Sequence, residues 1–351
     1  MYDLMRRGEW RYWVVALKLL LRFQHRKYGQ TVVRKTLFQS DLVLDYYLPS
    51  GKAVSTVVVI PGMSVLGRED PRIINLAEAL AAAGCRVLIP EFHGIRNLEI
   101  GRQQPEKVQQ QLETLVADRY LIPDEMFSIM AVSFSGIFAL RAACSKHLGH
   151  RIVALCLIGG YYDIDTVCSF LVTANRSDPY GRLLVLRSYY KEIEPESRAF
   201  HRILDRCLKE CVDQKYGWNA HRALDASDPL ENRIYRLLTD NLEREMFRKK
   251  ITTSLDQSWS GYRTQLDFVC KKTPVLLIHG RDDRVIPAGE SRRLARRLGD
   301  RKIPVYLCIT RFLSHGDSVI RLSQLPELYR LLRGVAWFFR YSRRGKKLLD
   351  R

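Results

Sequence analysis

The sequence lacks a long apolar segment, a secretory leader pattern and any internal repeat. Of its 351 residues 46% are hydrophobic, but the apolar run near the start is broken by Lys18, well short of the ~20 residues needed to cross a bilayer. No small-residue cleavage site follows that run, so we expect no secretory signal. The composition is that of a globular chain, either one large domain or one domain with a cap.

The eight cysteines lack the spacing of a metal site. No Cys-x-x-Cys pair and no cysteine–histidine ligand pattern occurs, and several cysteines lie inside apolar runs such as IVALCLIG and VYLCIT. Cys207 and Cys211 are one helical turn apart, but two sulfurs do not make a metal site. We therefore expect cysteines that act as small core residues in a reducing compartment. We expect neither a metal ion nor another cofactor.

Acidic residues are scarce at both ends of the chain. The formal net charge is +19; residues 1–35 hold nine Lys and Arg against two acids, and residues 330–351 hold eight against one. The excess is thus mostly terminal rather than spread over a recognition face, and no nucleic-acid-binding motif is visible. Nucleic acid is not the expected partner.

Residues 1–35 are predicted to contain a basic amphipathic helix, in EWRYWVVALKLLLRFQHRK. Apolar and basic side chains form two stripes at helical spacing, Trp10, Trp13, Val14, Leu17 and Leu21 against Arg7, Arg11, Lys18 and Arg22. Either the helix lies in the plane of an anionic membrane surface or it packs on the protein body. The C-terminal VAWFFRYSRRGKKLL is similar in composition, and residues 342–351 are predicted to form a basic tail. The expected location is cytoplasmic, with peripheral attachment to the cytoplasmic face of a membrane as an option.

Apolar runs rich in β-branched residues alternate with segments of helical pattern. Two short strands around a turn are predicted in TLFQSDLVLDYYLP. The later runs are STVVVIPG (55–62), CRVLIPEF (85–92), MFSIMAVS (126–133), RIVALCLIGG (151–160), TPVLLIHG (273–280) and IPVYLCIT (303–310). Such runs are typical of strands buried on both faces of a parallel sheet, so the predicted fold is α/β, a doubly wound and mostly parallel sheet.

The alternation is interrupted once, between residues 161 and 270. This segment is polar, rich in aromatic residues and helical in pattern, with no comparable strand. We interpret it as a mainly helical cap inserted between two core segments, residues 36–160 and 271–341.

A serine follows the third of these runs, in AVSFSG. A sharp strand–turn–helix serine turn needs small residues two positions before and after the nucleophile. Ala131 and Ser135 satisfy this around Ser133, whereas Ile137 would obstruct the turn if Ser135 were the nucleophile. Ser133 is therefore the candidate nucleophile, although a serine after a strand is also commonly a helix N-cap.

The general base and the orienting acid that a serine nucleophile needs both have candidates later in the chain. HGRDDRVIP places acidic residues after one strand, and TRFLSHGD places His315 after the last strand. The carboxyl ends of parallel strands share one edge of the sheet, where sites of open α/β sheets gather. The order serine, aspartate, histidine is the one found in α/β-hydrolases.

Taken together, these pieces resemble the α/β-hydrolase fold family over roughly residues 35 to 340. They are VVVIPGMSVLG, GCRVLIPEFHG, AVSFSG, HGRDDRVIP and SHGD. The resemblance implies a triad of Ser133, Asp283 and His315, with Asp283 four residues before Pro287. Asp282 is then a turn or capping residue, and Asp163 or Asp165 would be the less usual position of the acid.

The resemblance also implies an oxyanion hole made by the backbone N–H groups of Met63 and Phe134. The chain departs from the family pattern in two places: Ala131 and Ser135 replace the elbow glycines, and Pro61-Gly62 replaces a frequent His-Gly.

The expected activity is hydrolysis of a carboxylic ester or thioester through an acyl-enzyme on Ser133. An apolar acyl group in a lipid-like substrate at a membrane surface is the more concrete expectation. A lipid acyltransferase with the same triad and a non-catalytic binding protein of the same fold remain alternatives. His279, at the end of a strand, is expected to be a structural partner below the acid loop, and His93 to lie near the mouth of the site.

Overall fold

A computed structural model describes residues 9–24, 33–39, 42–123, 125–193, 197–213, 224–254, 259–312 and 325–343. Its central feature is an eight-stranded sheet. The strands are β1 (Val33–Gln39), β2 (Leu42–Leu48), β3 (Ser55–Ile60), β4 (Cys85–Pro90), β5 (Phe127–Val132), β6 (Ile152–Ile158), β7 (Val275–Gly280) and β8 (Val305–Thr310).

The strand order is β1-β2-β4-β3-β5-β6-β7-β8. β2 runs antiparallel to both of its neighbours, while the remaining pairs, from β4 to β8, are parallel. This is the order and direction of strands in the α/β-hydrolase fold, so the predicted fold class is confirmed.

Helices cover both faces of the sheet, since the central strands are apolar on both sides. Val58 and Ile60 of β3 belong to one core, and Val57 and Val59 to the other, because successive side chains point to opposite faces. The first core also contains residues of α3 (His93–Arg96), α4 (Gln104–Ala117), α5 (Gly136–Cys144) and α11 (Ala288–Asp300); the second contains residues of α1 (Trp10–Gln24), α2 (Pro71–Ala82) and α12 (Leu325–Ser342).

Between β6 and β7 the described residues form helices and no strand. These are α6 (Ile164–Thr173), α7 (Pro179–Ile193), α8 (Arg198–Asp213), α9 (Pro229–Thr239) and α10 (Asn241–Ser254). Several aromatic side chains of this segment pack against one another. The ring centroid of Tyr190, for example, lies 4.2 Å from that of Phe200 and 5.9 Å from that of Phe247. The segment is helical, as the sequence predicts; its boundaries as a separate domain stay a prediction.

The N-terminal helix packs on the body through a face that the sequence does not single out. Tyr12, Val15, Ala16 and Leu19 are buried, and α1 contacts α2 and α12. Most of the predicted apolar stripe, including Leu17 and Leu21, is exposed instead. Among the described residues, no helix is both long and apolar enough to cross a membrane.

All eight cysteines lie in the described ranges, and they are free thiols. Five are buried, as expected for small core residues: Cys85, Cys156, Cys168, Cys207 and Cys308. Burial raises the pKa of Cys85, Cys207 and Cys308 to about 11, so these thiols stay protonated near neutral pH.

Candidate active site

Ser133 occupies the turn between β5 and α5 in a left-handed conformation. Its φ is +57°, which a residue with a side chain adopts only when its surroundings hold it there. Ala131 and Ser135, two residues before and after it, are fully buried. This is the local geometry of a nucleophile elbow, in which a strained turn presents the serine at the edge of the sheet.

The segment after β3 begins directly beside this turn. The buried hydroxyl of Ser135 donates a 2.6 Å hydrogen bond to the carbonyl oxygen of Pro61. A Cβ placed on Gly62 would lie 3.3 Å from the Cβ of Ser133 and 3.3 Å from the carbonyl oxygen of Val132. Residues 61–70, here named the oxyanion loop, therefore start in contact with the elbow, and the Pro-Gly departure still allows the close approach.

Hydrogen bonds within the oxyanion loop fix its course. The Ser64 hydroxyl donates to Asp70 at 3.1 Å, and the Gly67 N–H donates to the Ser64 carbonyl at 2.9 Å. The Met63 N–H has no acceptor among the described residues. The Met63 carbonyl accepts a 3.4 Å hydrogen bond from the hydroxyl of Tyr180, at the start of α7. The segment between β6 and β7 thus reaches the loop that is predicted to hold the oxyanion.

A charged cluster anchors the far side of the oxyanion loop. Arg68 lies 2.7 Å from Asp45 of β2 and 3.2 Å from Glu91 at the end of β4. Both carboxylates are buried, so each needs the paired cation. Gly67 has a φ of +51°, and a Cβ there would lie 2.6 Å from Oε1 of Glu91. Sequence reasoning missed this anchor, because its members lie on separate elements and carry no periodic signal.

Asp283 lies on the loop after β7. Its Oδ1 accepts hydrogen bonds from the N–H groups of Val285 at 2.8 Å and Ile286 at 3.0 Å. Gly159, directly after β6, lies near both this carboxylate and the elbow. A Cβ placed on Gly159 would lie 3.7 Å from Asp283 Oδ2 and 4.0 Å from Ser133 Cα. Asp283 and Ser133 are therefore neighbours across Gly159, with Oδ1 held by the backbone and Oδ2 on the side of the elbow.

The competing acids have other positions. Asp163 caps α6, since its carboxylate accepts the Asp165 N–H at 3.0 Å and the Thr166 hydroxyl at 2.8 Å. Asp165 is half exposed and lies 3.4 Å from Arg263, and Asp282 is exposed. Of the four candidates, Asp283 is the one whose carboxylate borders the same glycine, Gly159, as the elbow.

The predicted base, His315, lies outside the described residues. β8, which precedes it, ends at Thr310, and Thr310 pairs with Gly280 at the end of β7. The chain therefore leaves β8 beside the strand that carries the acid loop. The triad and the oxyanion donors stay a prediction.

His279 supports the acid loop from below. The ring is fully buried, with Nδ1 2.6 Å from the Ser291 hydroxyl and Nε2 2.8 Å from the Ile286 carbonyl oxygen. Burial lowers the pKa of His279, so the ring is neutral. Its Nε2–H then donates to Ile286 and its Nδ1 accepts from Ser291. His93, by contrast, is exposed at the first residue of α3.

Aromatic side chains hold the residue after the nucleophile. The buried ring of Phe134 lies 5.6 Å from Tyr161 and 5.3 Å from Tyr262 between centroids. The Tyr161 hydroxyl donates to the Tyr262 carbonyl at 3.0 Å, and the Tyr262 hydroxyl donates to Gln104 at 2.7 Å. These contacts hold the side chain of Phe134, whose backbone N–H is one predicted oxyanion donor. No local pattern singles out these two tyrosines, which lie 101 residues apart in the sequence.

Comparisons of the sequence with protein-family models and with curated proteins give no match. Among solved structures, the chain is similar to an acylaminoacyl peptidase from Pyrococcus horikoshii, with 16% identity and a TM-score of 0.48 over 91% of this chain and 43% of that one. It thus spans less than half the length of that peptidase.

Two further similarities involve esterases. Brefeldin A esterase, described as a bacterial homologue of human hormone-sensitive lipase, is 13% identical with a TM-score of 0.49, covering 94% of this chain and 86% of that one. An esterase from Pyrococcus furiosus is 13% identical with a TM-score of 0.45, covering 89% and 93%. On the strand order of its own sheet, with a serine elbow at the carboxyl end of β5, the chain has the α/β-hydrolase fold.

Proposed function

We propose that this protein is a serine hydrolase that cleaves a carboxylic ester or thioester through an acyl-enzyme on Ser133. One observation carries the proposal: the left-handed Ser133 lies between the oxyanion loop at Gly62 and the Asp283 carboxylate across Gly159. A nucleophile, an orienting acid and a loop of backbone donors are the parts that acyl transfer requires.

The chemistry follows from these parts. His315 takes the proton of the Ser133 hydroxyl as its oxygen attacks the substrate carbonyl, then gives that proton to the leaving alcohol or thiol. Asp283 holds the imidazole through Oδ2, since its Oδ1 already accepts two backbone N–H groups. Water then attacks the acyl-enzyme with His315 again as the base, which releases the acid and restores the serine.

The N–H groups of Met63 and Phe134 would donate hydrogen bonds to the substrate carbonyl oxygen as negative charge develops on it. Removing one such donor raises the barrier by about 2.7–4 kcal/mol in comparable sites. Two observations support this assignment: Arg68 anchors the oxyanion loop, and Phe134 packs against tyrosines, so both donors would be held before substrate arrives. Preorganised donors stabilise the transition state without reorganisation during the reaction.

An apolar acyl group is the proposed specificity. Met63 and Val285 are partly buried on the loops beside the elbow and the acid, and Tyr180 reaches the same place from α7. Such a lining binds hydrocarbon better than polar groups. The proposed setting is the cytoplasmic face of an anionic membrane, where lipid-like esters are presented.

A lipid acyltransferase is the alternative within the same chemistry. The acyl-enzyme forms in the same way, but an acceptor alcohol replaces water in the second step. A non-catalytic binding protein would keep the fold and lack a reactive serine.

Labelling with a fluorophosphonate probe tests the proposal. The 351-residue chain should label at Ser133, and Ser133→Ala should not label or hydrolyse p-nitrophenyl esters. Ser128→Ala, which changes a buried serine on β5, the strand that leads into the elbow, is the matched control and should label like wild type. Absence of labelling in folded wild-type protein would establish the non-catalytic alternative. Product analysis with and without an added alcohol separates hydrolase from acyltransferase.

A further inference from the structure

The N-terminal helix α1 is held on the body at several points. Glu9 lies 3.2 Å from Arg340 of α12, and the Phe23 carbonyl accepts a 2.7 Å hydrogen bond from Asn75 of α2. Between them, the Trp13 ring stacks on Tyr329 at 5.7 Å. With its inner face buried, the helix presents a defined outer face.

That outer face is apolar. Trp10, Val14, Leu17 and Leu21 recur at steps of four and three residues and are 63%, 39%, 47% and 49% exposed. At about 100° per residue they fall within one strip of the helix surface. A surface helix of a soluble domain normally presents polar residues on this side, so a contiguous apolar strip marks an interaction surface.

A basic strip runs directly beside the apolar one. Lys18 and Arg11, both exposed, lie about 80° and 100° around the helix from Trp10, next to Val14. Apolar side chains flanked by cations, with a tryptophan among them, characterise helices that lie in the membrane interface. The charge of the N-terminal segment also favours an anionic membrane surface, since residues 1–35 hold nine Lys and Arg against two acids.

We infer that the outer face of α1, formed by Trp10, Val14, Leu17 and Leu21 with Arg11 and Lys18 beside it, docks on an anionic lipid surface. The inference rests on the membrane association proposed above and identifies the residues that make it. Because the inner face is fixed to α2 and α12, α1 lies in the membrane plane as part of the folded body.

A second copy of the chain is the competing occupant. A symmetric dimer through this face uses the same patch on both copies. It would bring together two copies of a segment with nine Lys and Arg against two acids, and juxtaposed like charges disfavour association. Anionic lipid instead attracts these cations, at about 1 kcal/mol for each Lys or Arg near the surface.

Vesicle binding by the full-length protein tests the inference. Vesicles of phosphatidylcholine mixed with phosphatidylserine should bind the protein, and vesicles of phosphatidylcholine alone should bind it less. Leu17→Ser/Leu21→Ser, which replaces the two exposed leucines by serine, should weaken binding at least about tenfold. Lys18→Glu should weaken binding to the mixed vesicles only. The matched control is Leu242→Ser/Met246→Ser, an exposed apolar pair on α10, which should bind like wild type.

Quenching of tryptophan fluorescence by brominated lipid reports which face of α1 contacts the membrane. Trp10→Phe should remove most of the quenching, while Trp13→Phe, which changes the ring stacked on Tyr329, should retain it. Equal binding by the Leu17→Ser/Leu21→Ser protein and wild type would overturn the inference. So would a wild-type dimer that this variant abolishes. The measurement is independent of catalysis, since Ser133→Ala should bind vesicles normally even if the proposed hydrolase activity proves absent.

Discussion

The Ser135 hydroxyl and the Pro61 carbonyl oxygen, 2.6 Å apart, tie the nucleophile elbow to the start of the oxyanion loop. A glycine at position 135, as in the usual elbow, would offer no such bond. The departure from the family pattern therefore adds a link between the two segments that are predicted to stabilise the oxyanion.

Ser135→Ala should slow acylation although Ser133 is untouched. The change leaves a buried carbonyl without its partner, which costs about 1–3 kcal/mol in the free energy of unfolding, and loosens the Met63 and Phe134 donors. We expect several-fold slower fluorophosphonate labelling and a lower kcat with little change in KM. If Ser135 acted only as a small residue that lets the turn close, as the sequence pattern alone indicates, Ser135→Ala would retain most of its activity.

The control for this change is Ser128→Ala. Ser128 is buried on β5 and donates a 2.9 Å hydrogen bond to Ser342, far along the strand from the elbow. Urea unfolding should show a comparable loss of stability, whereas the labelling rate should match wild type. Equal labelling rates in the two variants would remove the positioning role of Ser135.

Asp283→Asn should lower kcat/KM for a small soluble ester by up to about 10⁴-fold. The Asn oxygen would keep the bonds from Val285 and Ile286, so its NH₂ group would take the place of Oδ2 and donate where the carboxylate accepts. Asp282→Asn, on the exposed neighbour, should change kcat/KM little. If Asp163→Asn proved the damaging change instead, the acid would belong to the preceding loop.

Gly67→Ala should destabilise the chain by about 1–2 kcal/mol and slow labelling of Ser133. Position 67 has a positive φ, and the new Cβ would approach Glu91, which belongs to the anchor of the oxyanion loop. Gly289→Ala is the opposite case: it lies in α11 with nothing within 4 Å of the added Cβ, so helix propensity should raise stability slightly. Thermal unfolding of both variants checks this: the Tm should fall in Gly67→Ala and rise slightly in Gly289→Ala.

Stability should fall in mild acid because of His279. Burial lowers the pKa of this imidazole in the folded chain below its ordinary value of 6.5. The unfolded chain therefore binds a proton that the folded chain refuses, and the free energy of unfolding falls as the pH drops below about 6.5 until the folded-state pKa is reached. Urea unfolding at pH values between about 5 and 8 measures the slope. His279→Gln should be less stable but show a flatter acid slope.

The sheet could be predicted from the sequence because its signals are local. Runs such as STVVVI and VLLIHG are mostly apolar, and every position in them is buried, as expected for a strand covered on both faces. The elbow was equally local, since small residues around Ser133 decide whether the turn closes. By contrast, Arg68 and Asp45 are 23 residues apart, and their pairing depends on a sheet order that no local pattern encodes.

The buried face of α1 is a second feature that could not be predicted from the sequence. Apolar side chains extend around most of this helix, so periodicity alone does not tell which of them contact the body. The shape of the surface offered by α2 and α12 decides this, and it selects Tyr12, Val15, Ala16 and Leu19.

The pairing of α1 with α12 also has a consequence for biosynthesis. α1 emerges from the ribosome before any strand of the sheet, whereas α12, which covers part of its inner face, follows the last strand. Until Leu325–Ser342 has been translated, the nascent chain leaves that apolar face only partly covered, and such surface recruits chaperones or aggregates. Synthesis of α12 therefore completes the docking of α1.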